Sequence, residues 1–239
     1  GSYTVTYDYT DGNGCSASDF HAITVNALPT ISAGPDQLMC DGDMAVVNGS
    51  GGLTYLWTGG IVDGVPFQPG VGVNEYSVIG TDVNGCSGYD TLFITVDTIP
   101  NVDGGLDQTV CDGEMVTLSA SNSTIYTWDN GISDGVAFTP SLGSTEYIVT
   151  GTDATGCAAN DTVNVLVNGL PDTTVTNGGT TLSADHGSGT YQWLDCSTGL
   201  PVPGEVSQSL SGYDGNYQVE ITDNGCIDTS SCYLLMTVT

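Results

Sequence analysis

The residues able to do chemistry are eight cysteines and a recurring set of acidic turns. The cysteines are Cys15, Cys40, Cys86, Cys111, Cys157, Cys196, Cys226 and Cys232. None forms a C-x-x-C pair, so zinc and thioredoxin-like chemistry find little support and disulfides are the stronger reading. The acidic turns are Asp11-Gly12-Asn13-Gly14, Asp82-Val83-Asn84-Gly85 and Asp153-Ala154-Thr155-Gly156. Oxygens of Asp11, Asn13, Asp82, Asn84 and Asp153 at alternate positions suit Ca²⁺, which takes six to eight oxygen ligands. The competing reading is a hairpin turn that uses Asn-Gly for its positive-φ positions. The turn reading is favoured, because no segment completes an EF-hand loop and the third has lost its Asn. Ca²⁺ is the one cofactor the sequence points to, partly from charge density alone.

That charge is one-sided. The 239 residues include 28 Asp and Glu and no Lys or Arg, for a formal charge of −28. A soluble domain is ordinarily about a quarter charged, with both signs. Apart from His21 and His186, no side-chain cation can meet a carboxylate here. The carboxylates must be solvated, bonded to backbone N–H groups, or metal-bound. Nucleic acid binding is close to excluded, since phosphate contacts are built mainly from Lys and Arg. Anionic lipid is disfavoured for the same reason, and no apolar run approaches the roughly 20 residues of a membrane span. The composition is nevertheless that of a folded chain: 39% is hydrophobic and mean hydropathy is +0.04.

A repeat organises these residues. Cys40 and Cys111 are 71 positions apart, as are Cys86 and Cys157, Trp57 and Trp128, Tyr76 and Tyr147, and Phe67 and Phe138. Pro29, Pro100 and Pro171 open successive units, dividing the chain into 29–99, 100–170 and a divergent terminal 171–239. Residues 1–28 match only the last third of a unit, so the chain is expected to begin inside a domain. Within each unit, apolar and polar residues alternate with period 2, as at Val116, Leu118 and Ala120. Gly, Asn and Asp clusters separate these runs every 8–12 residues. That pattern predicts an all-β chain of tandem Ig-like antiparallel sandwiches, joined by short linkers into a stiff rod. The repeated Trp57, Trp128 and Trp193 fall on the third strand and are read as core residues rather than sugar-stacking platforms.

The strings AGPDQLMCDGDMAVV and GGLDQTVCDGEMVTL, with NEYSVIGTDVNGC and TEYIVTGTDATGC, resemble the Ig-like or PKD-like repeats of very large secreted surface proteins of Bacteroidota. The last unit resembles the repeat that closes such arrays. The resemblance implies export by type IX secretion and an extracellular or cell-surface location. It separates poorly between adhesins, gliding-associated proteins and enzyme stalks. It also brings in Asp90-Thr91-Leu92 and Asp161-Thr162-Val163, which are similar to the O-glycan acceptor triplet of that phylum. Thr91 and Thr162 are therefore glycosylation candidates, weighed evenly against being ordinary strand residues.

Two disulfide schemes are open, since connectivity cannot be read from sequence alone. One closes each repeat internally, as Cys40–Cys86 and Cys111–Cys157. The other links neighbours, as Cys40–Cys157 and Cys111–Cys226, with Cys196–Cys232 inside the terminal repeat and Cys15 and Cys86 paired outside the chain. The second is favoured. In an Ig-type sandwich the turn after Cys40 or Cys111 and the turn before Cys86 or Cys157 lie at opposite ends, a strand length of roughly 20 Å apart. A disulfide needs Cα atoms about 4.4–6.8 Å apart. The terminal repeat has Val175 where the linking cysteine should be, as befits a domain with no successor.

No Ser-His-Asp grouping or convergent pair of carboxylates is evident, so the chain is read as non-enzymatic. The leading expectation is a structural segment of an extracellular filament or stalk, self-associating head to tail. The alternatives are an adhesin or carbohydrate-binding array, with glycans as ligands, and a non-catalytic region of a secreted hydrolase. Residues 1–28 are expected to supply two strands whose Tyr3, Val5, Tyr7, Ile23 and Val25 expose an apolar face.

Overall fold

The computed structural model describes residues 1–236. The chain is all-β and Ig-like, and it forms two compact units, 1–99 and 100–239. Among the described residues the single helical element is one 3-10 turn, Thr58–Gly60. Among the described residues no helix is long and apolar enough to cross a membrane.

The first unit opens with a hairpin of β1 (Ser2–Thr10) and β2 (Ser16–Thr24), paired from Ser2↔Thr24 to Thr10↔Ser16. Alternation puts Tyr3, Val5 and Tyr7 on one face with Ile23, and every residue of both strands is exposed. The sandwich that follows has a four-stranded sheet in the order β3 (Gln37–Cys40), β6 (Ser87–Asp97), β5 (Gly72–Thr81), β4 (Thr54–Trp57). β5 and β6 are a long antiparallel hairpin, whereas β3 runs parallel to β6. Period-2 alternation sends Val78, Leu92, Ile94 and Val96 inward against Ile31, Ala33, Ala45, Val47 and Trp57. The opposing layer is irregular, held by the bridges Ser32↔Ser50 and Ala45↔Phe67.

Two carboxylates fasten that layer. Asp90 Oδ2 accepts the Ala33 N–H at 2.8 Å, and Asp36 Oδ1 accepts the Phe93 N–H at 2.8 Å. Small residues let the layers close. A Cβ on Gly80 would lie 2.4 Å from Ile31 Cδ1, and one on Gly88 would lie 2.5 Å from the Pro29 carbonyl oxygen.

The second unit contains two cores. Residues 102–167 repeat the first sandwich in the order β7 (Gln108–Cys111), β10 (Ala158–Asn168), β9 (Gly143–Thr152), β8 (Ile125–Trp128). Asp161 and Asp107 take the places of Asp90 and Asp36, accepting the Gly104 and Asn164 N–H groups, each at 2.8 Å. The terminal sandwich differs. Its sheets are β11 (Val175–Asn177), β12 (Thr181–Ala184) and β14 (Ser209–Ser211), and β13 (Thr190–Asp195), β15 (Gly215–Asp223) and β16 (Cys226–Thr229), with β17 (Tyr233–Leu235) also on β15. Val175 is buried and pairs with Ala184 across β11–β12. Its strand therefore joins the other sheet, unlike β3 and β7.

Candidate functional site

The residues of chemical interest meet where the second repeat is clamped to the terminal one. Cys111 ends β7 level with Asn168, the last residue of β10. The chain then turns through Asp112-Gly113, with Gly113 at φ 86°. Glu114 closes the turn: its N–H donates to the Cys111 carbonyl at 3.0 Å and its Oε2 accepts the Cys111 N–H at 2.7 Å. Asp112 N–H donates to the Asn168 carbonyl at 2.9 Å. Cys226 lies in the terminal repeat at the turn between β15 and β16, where Asn224 and Gly225 both have positive φ. The structure joins Cys111 to Cys226, with an S–S distance of 2.03 Å and Cα atoms 5.6 Å apart. Asn168 Nδ2 donates to the Asn224 carbonyl at 2.9 Å, adding a neutral tie. Beside the bridge is an open polar cleft of about 200 Å³ between Glu114, Asn168 and Asn224. Ligand pockets are usually larger and mostly apolar, so the junction is built to hold two domains.

Cys40 sits in the same kind of turn. Asp43 Oδ2 accepts its N–H at 3.0 Å, and Gly42 has φ 94°. Cys40 ends β3 level with Asp97, while Cys86 precedes the first residue of β6. At about 3.3 Å per residue the two are more than 30 Å apart along β6. The within-repeat pairing is thereby excluded, and Cys86 is a free thiol. Cys111 and Cys157 are separated along β10 in the same way. Cys40 and Cys157 each take part in a disulfide. Cys196, just after β13, and Cys232, just before β17, are joined at 2.05 Å across β15 within one sheet, and Cys15 is free and exposed.

The acidic turns brace the cysteines that follow them. Asp82 Oδ1 accepts the N–H groups of Asn84 and Cys86, at 2.8 and 2.9 Å. Asp11 does the same for Asn13 and Cys15, and Asp153 for Thr155 and Cys157, all at 2.9 Å. The backbone bond from Cys86 holds the Asp82 carboxyl below its usual range; the Thr155 hydroxyl does most to lower Asp153. Among the described residues no three of His, Cys, Asp or Glu converge as a metal site.

The terminal turn is braced differently. His186 Nε2 lies 3.0 Å from Asp223 Oδ2, and Ser188 Oγ donates to the same oxygen at 3.0 Å. Ser188 Oγ also lies 3.2 Å from Nε2. A catalytic triad needs its Asp and Ser on opposite ring nitrogens; here both address one. The group is therefore a clamp on the turn that carries Cys226, and the His186 bond is the main reason the Asp223 carboxyl titrates low.

The tryptophans are buried, each with a partner. Trp57 Nε1 donates to Asp63 Oδ1 at 2.8 Å, Trp128 Nε1 to Asp134 Oδ1 at 2.9 Å, and Trp193 Nε1 to the Ser207 carbonyl at 2.9 Å. Asp63 and Asp134 were not anticipated as partners, yet their signal is present: each stands six residues after its Trp. The Asp of each Asp-Thr triplet is the anchor of the opposing layer. Thr91 is half-buried with its hydroxyl 3.1 Å from Ser77 Oγ, whereas Thr162 is exposed.

No family model and no curated protein matches this chain. Solved structures similar to it include the I-band fragment I67–I69 from titin, at 12% identity and TM-score 0.39, covering 88% of this chain and 99% of that one. Another is the N-terminal eight Ig domains of Down syndrome cell adhesion molecule, at 12% identity and TM-score 0.40, covering 98% of this chain and 46% of that one.

Proposed function

We propose that this chain is a structural segment of an extracellular filament or cell-surface stalk, of the kind borne by Bacteroidota, built from Ig-like repeats that disulfides clamp end to end. The observation that carries this is the Cys111–Cys226 bridge, which joins one repeat to the next at the end of a sheet. The turn chemistry recurs along the chain, in the carboxylate-closed turn of Cys40 and the Asp-braced turns of Cys15, Cys86 and Cys157. Cys40 pairs with Cys157 in this reading. Cys86 and Cys15 take cysteines outside residues 1–239, extending the series head to tail. Disulfides of this density belong to an oxidising compartment, and the lack of Lys and Arg leaves trypsin-like proteases no cleavage site. Glycans, where attached, decorate Thr162 more readily than Thr91, because Thr162 is exposed.

Electron microscopy of native material, before and after reduction, tests this. Thin filaments or stalks that lose their stiffness under reductant are expected. Isolated compact particles in the native material, or threads unchanged by reductant, would refute it.

A further inference from the structure

The outer face of the first complete sandwich differs from that of the second. Alternation turns Leu56 of β4, Ile79 of β5 and Tyr89 of β6 away from the core. Register places them side by side, Leu56↔Ile79↔Tyr89. They are 70%, 49% and 81% exposed. Further along the same face, Leu38 and Val73 flank Thr95, with Phe93 beside them. The positions 71 residues later on the second repeat hold Thr127, Thr150 and Asn160, then Thr109, Ser144 and Asn164. Ile125, Ile148 and Leu166 are apolar there, but across the strands they face Thr or Ser, with Asp129 also beside Ile148. The same backbone thus carries an apolar row in one repeat and a polar face in the other, and folding alone does not require the row.

We infer that this face of residues 29–99 is a lateral contact with the same face of a second copy of the chain. Charge decides the occupant. A basic partner would be drawn to carboxylates, and this face offers few: of the outward positions on the four strands, only Glu75 and, at the sheet end, Asp97 are charged. A partner as acidic as this chain can approach only where both surfaces are neutral, because like charges brought together without cations repel. A two-fold axis near Ile79 lays the two apolar rows together. Glu75 stands four residues along β5, about 13 Å away and opposite Phe93, which leaves both copies' Glu75 at the rim of the paired rows and the Leu38–Val73 group beyond it. Three strands at about 4.8 Å and some six residues at about 3.3 Å make a face on the order of 300 Å². A pair then buries roughly 600 Å², well below a standard stable interface and fit only for a weak, transient contact. Such a contact multiplies when chains lie side by side with many repeats. The inference does not depend on the end-to-end reading.

The test uses the full chain with Cys15→Ser and Cys86→Ser, which removes thiol-mediated joining, in sedimentation equilibrium from micromolar to millimolar. A weak dimer that tightens with added salt is expected, since salt screens repulsion and leaves apolar contact intact. Adding L56T, I79T and Y89N, the residues that the second repeat already tolerates, should weaken association at least tenfold without shifting the thermal midpoint. The reciprocal T127L, T150I and N160Y should create a second contact and raise the oligomer size. A chain that remains monomeric to millimolar concentration, or that associates equally with the triple substitution, overturns the proposal.

Discussion

Removing the Cys111–Cys226 bridge should both weaken the terminal half of the chain and uncouple its two cores. The bridge closes a segment of 115 residues. In the chain-entropy model a loop of that length lowers unfolded-state freedom by about 5 kcal/mol at 25 °C. The Cys196–Cys232 bridge, at 36 residues, is worth about 4 kcal/mol on the same basis. The two differ more in kind than in size. Cys196 and Cys232 lie within one sandwich, so their loss should lower the terminal repeat alone. Cys111 and Cys226 lie in sandwiches with separate cores, so their loss should let each unfold by itself. The assay is guanidinium unfolding of the C111S/C226S chain followed by tryptophan fluorescence, with Trp57→Phe to silence the first repeat. Trp128 and Trp193 then report one core each. The expected result is a single transition resolving into two, with the less stable one lowered by several kcal/mol. Trp128 and Trp193 transitions that stay coincident, and within about 1 kcal/mol of the parent, would refute the reasoning.

Other outcomes follow from the same geometry. Gly80→Ala should destabilise the first sandwich by about 1–3 kcal/mol through overpacking, and Ile31→Ala should partly rescue it, measured by thermal unfolding of the pair and each single variant. The carboxyls of Asp82, Asp90, Asp153, Asp161 and Asp223 are all depressed in the fold by hydrogen bonds that favour the ionised form. Their contribution is therefore present above the unfolded value of about 3.9 and lost as pH falls below it. A thermal midpoint that holds above pH 5 and drops below pH 4 is expected. In residues 1–239 produced alone, where Cys86 has no partner, Asp82→Ala should loosen the turn before it equally in Ca²⁺ and in EDTA, read as faster alkylation of the Cys86 thiol. His186→Ala should raise amide exchange at Asn224 and Gly225 while leaving exchange in β13 unchanged.

Much of the architecture was legible because an antiparallel sandwich writes itself in period 2. The alternation along β5, β6, β9 and β10 and the Gly- and Asn-rich turns were enough to assign all-β Ig-like repeats. The opposing layer was not legible. Ile31, Ala33, Ala45 and Val47 are held by isolated bridges and by Asp90 and Asp36 carboxylates, and no local pattern announces a side chain that ties down a strand 57 residues away. The fate of Val175 was hidden for a similar reason, since alignment with the cysteine-bearing strand carries no information on which sheet the strand joins. The His186–Asp223–Ser188 clamp depends on a turn meeting a strand end 35 and 37 residues away, which spacing alone does not reveal. The absence of Lys and Arg, by contrast, foretold a general feature: carboxylates find backbone and indole N–H donors, as Asp63, Asp82, Asp134 and Asp161 do.

The central claim is that disulfides run from the end of one repeat to the turn of the next. Peptide mapping of native, unreduced protein after cleavage at Glu and Asp tests it most directly, trypsin having no site to cut. The account predicts Cys40 linked to Cys157, Cys111 linked to Cys226, and Cys86 linked to a cysteine peptide from outside residues 1–239. Recovery of Cys40 linked to Cys86 would contradict it.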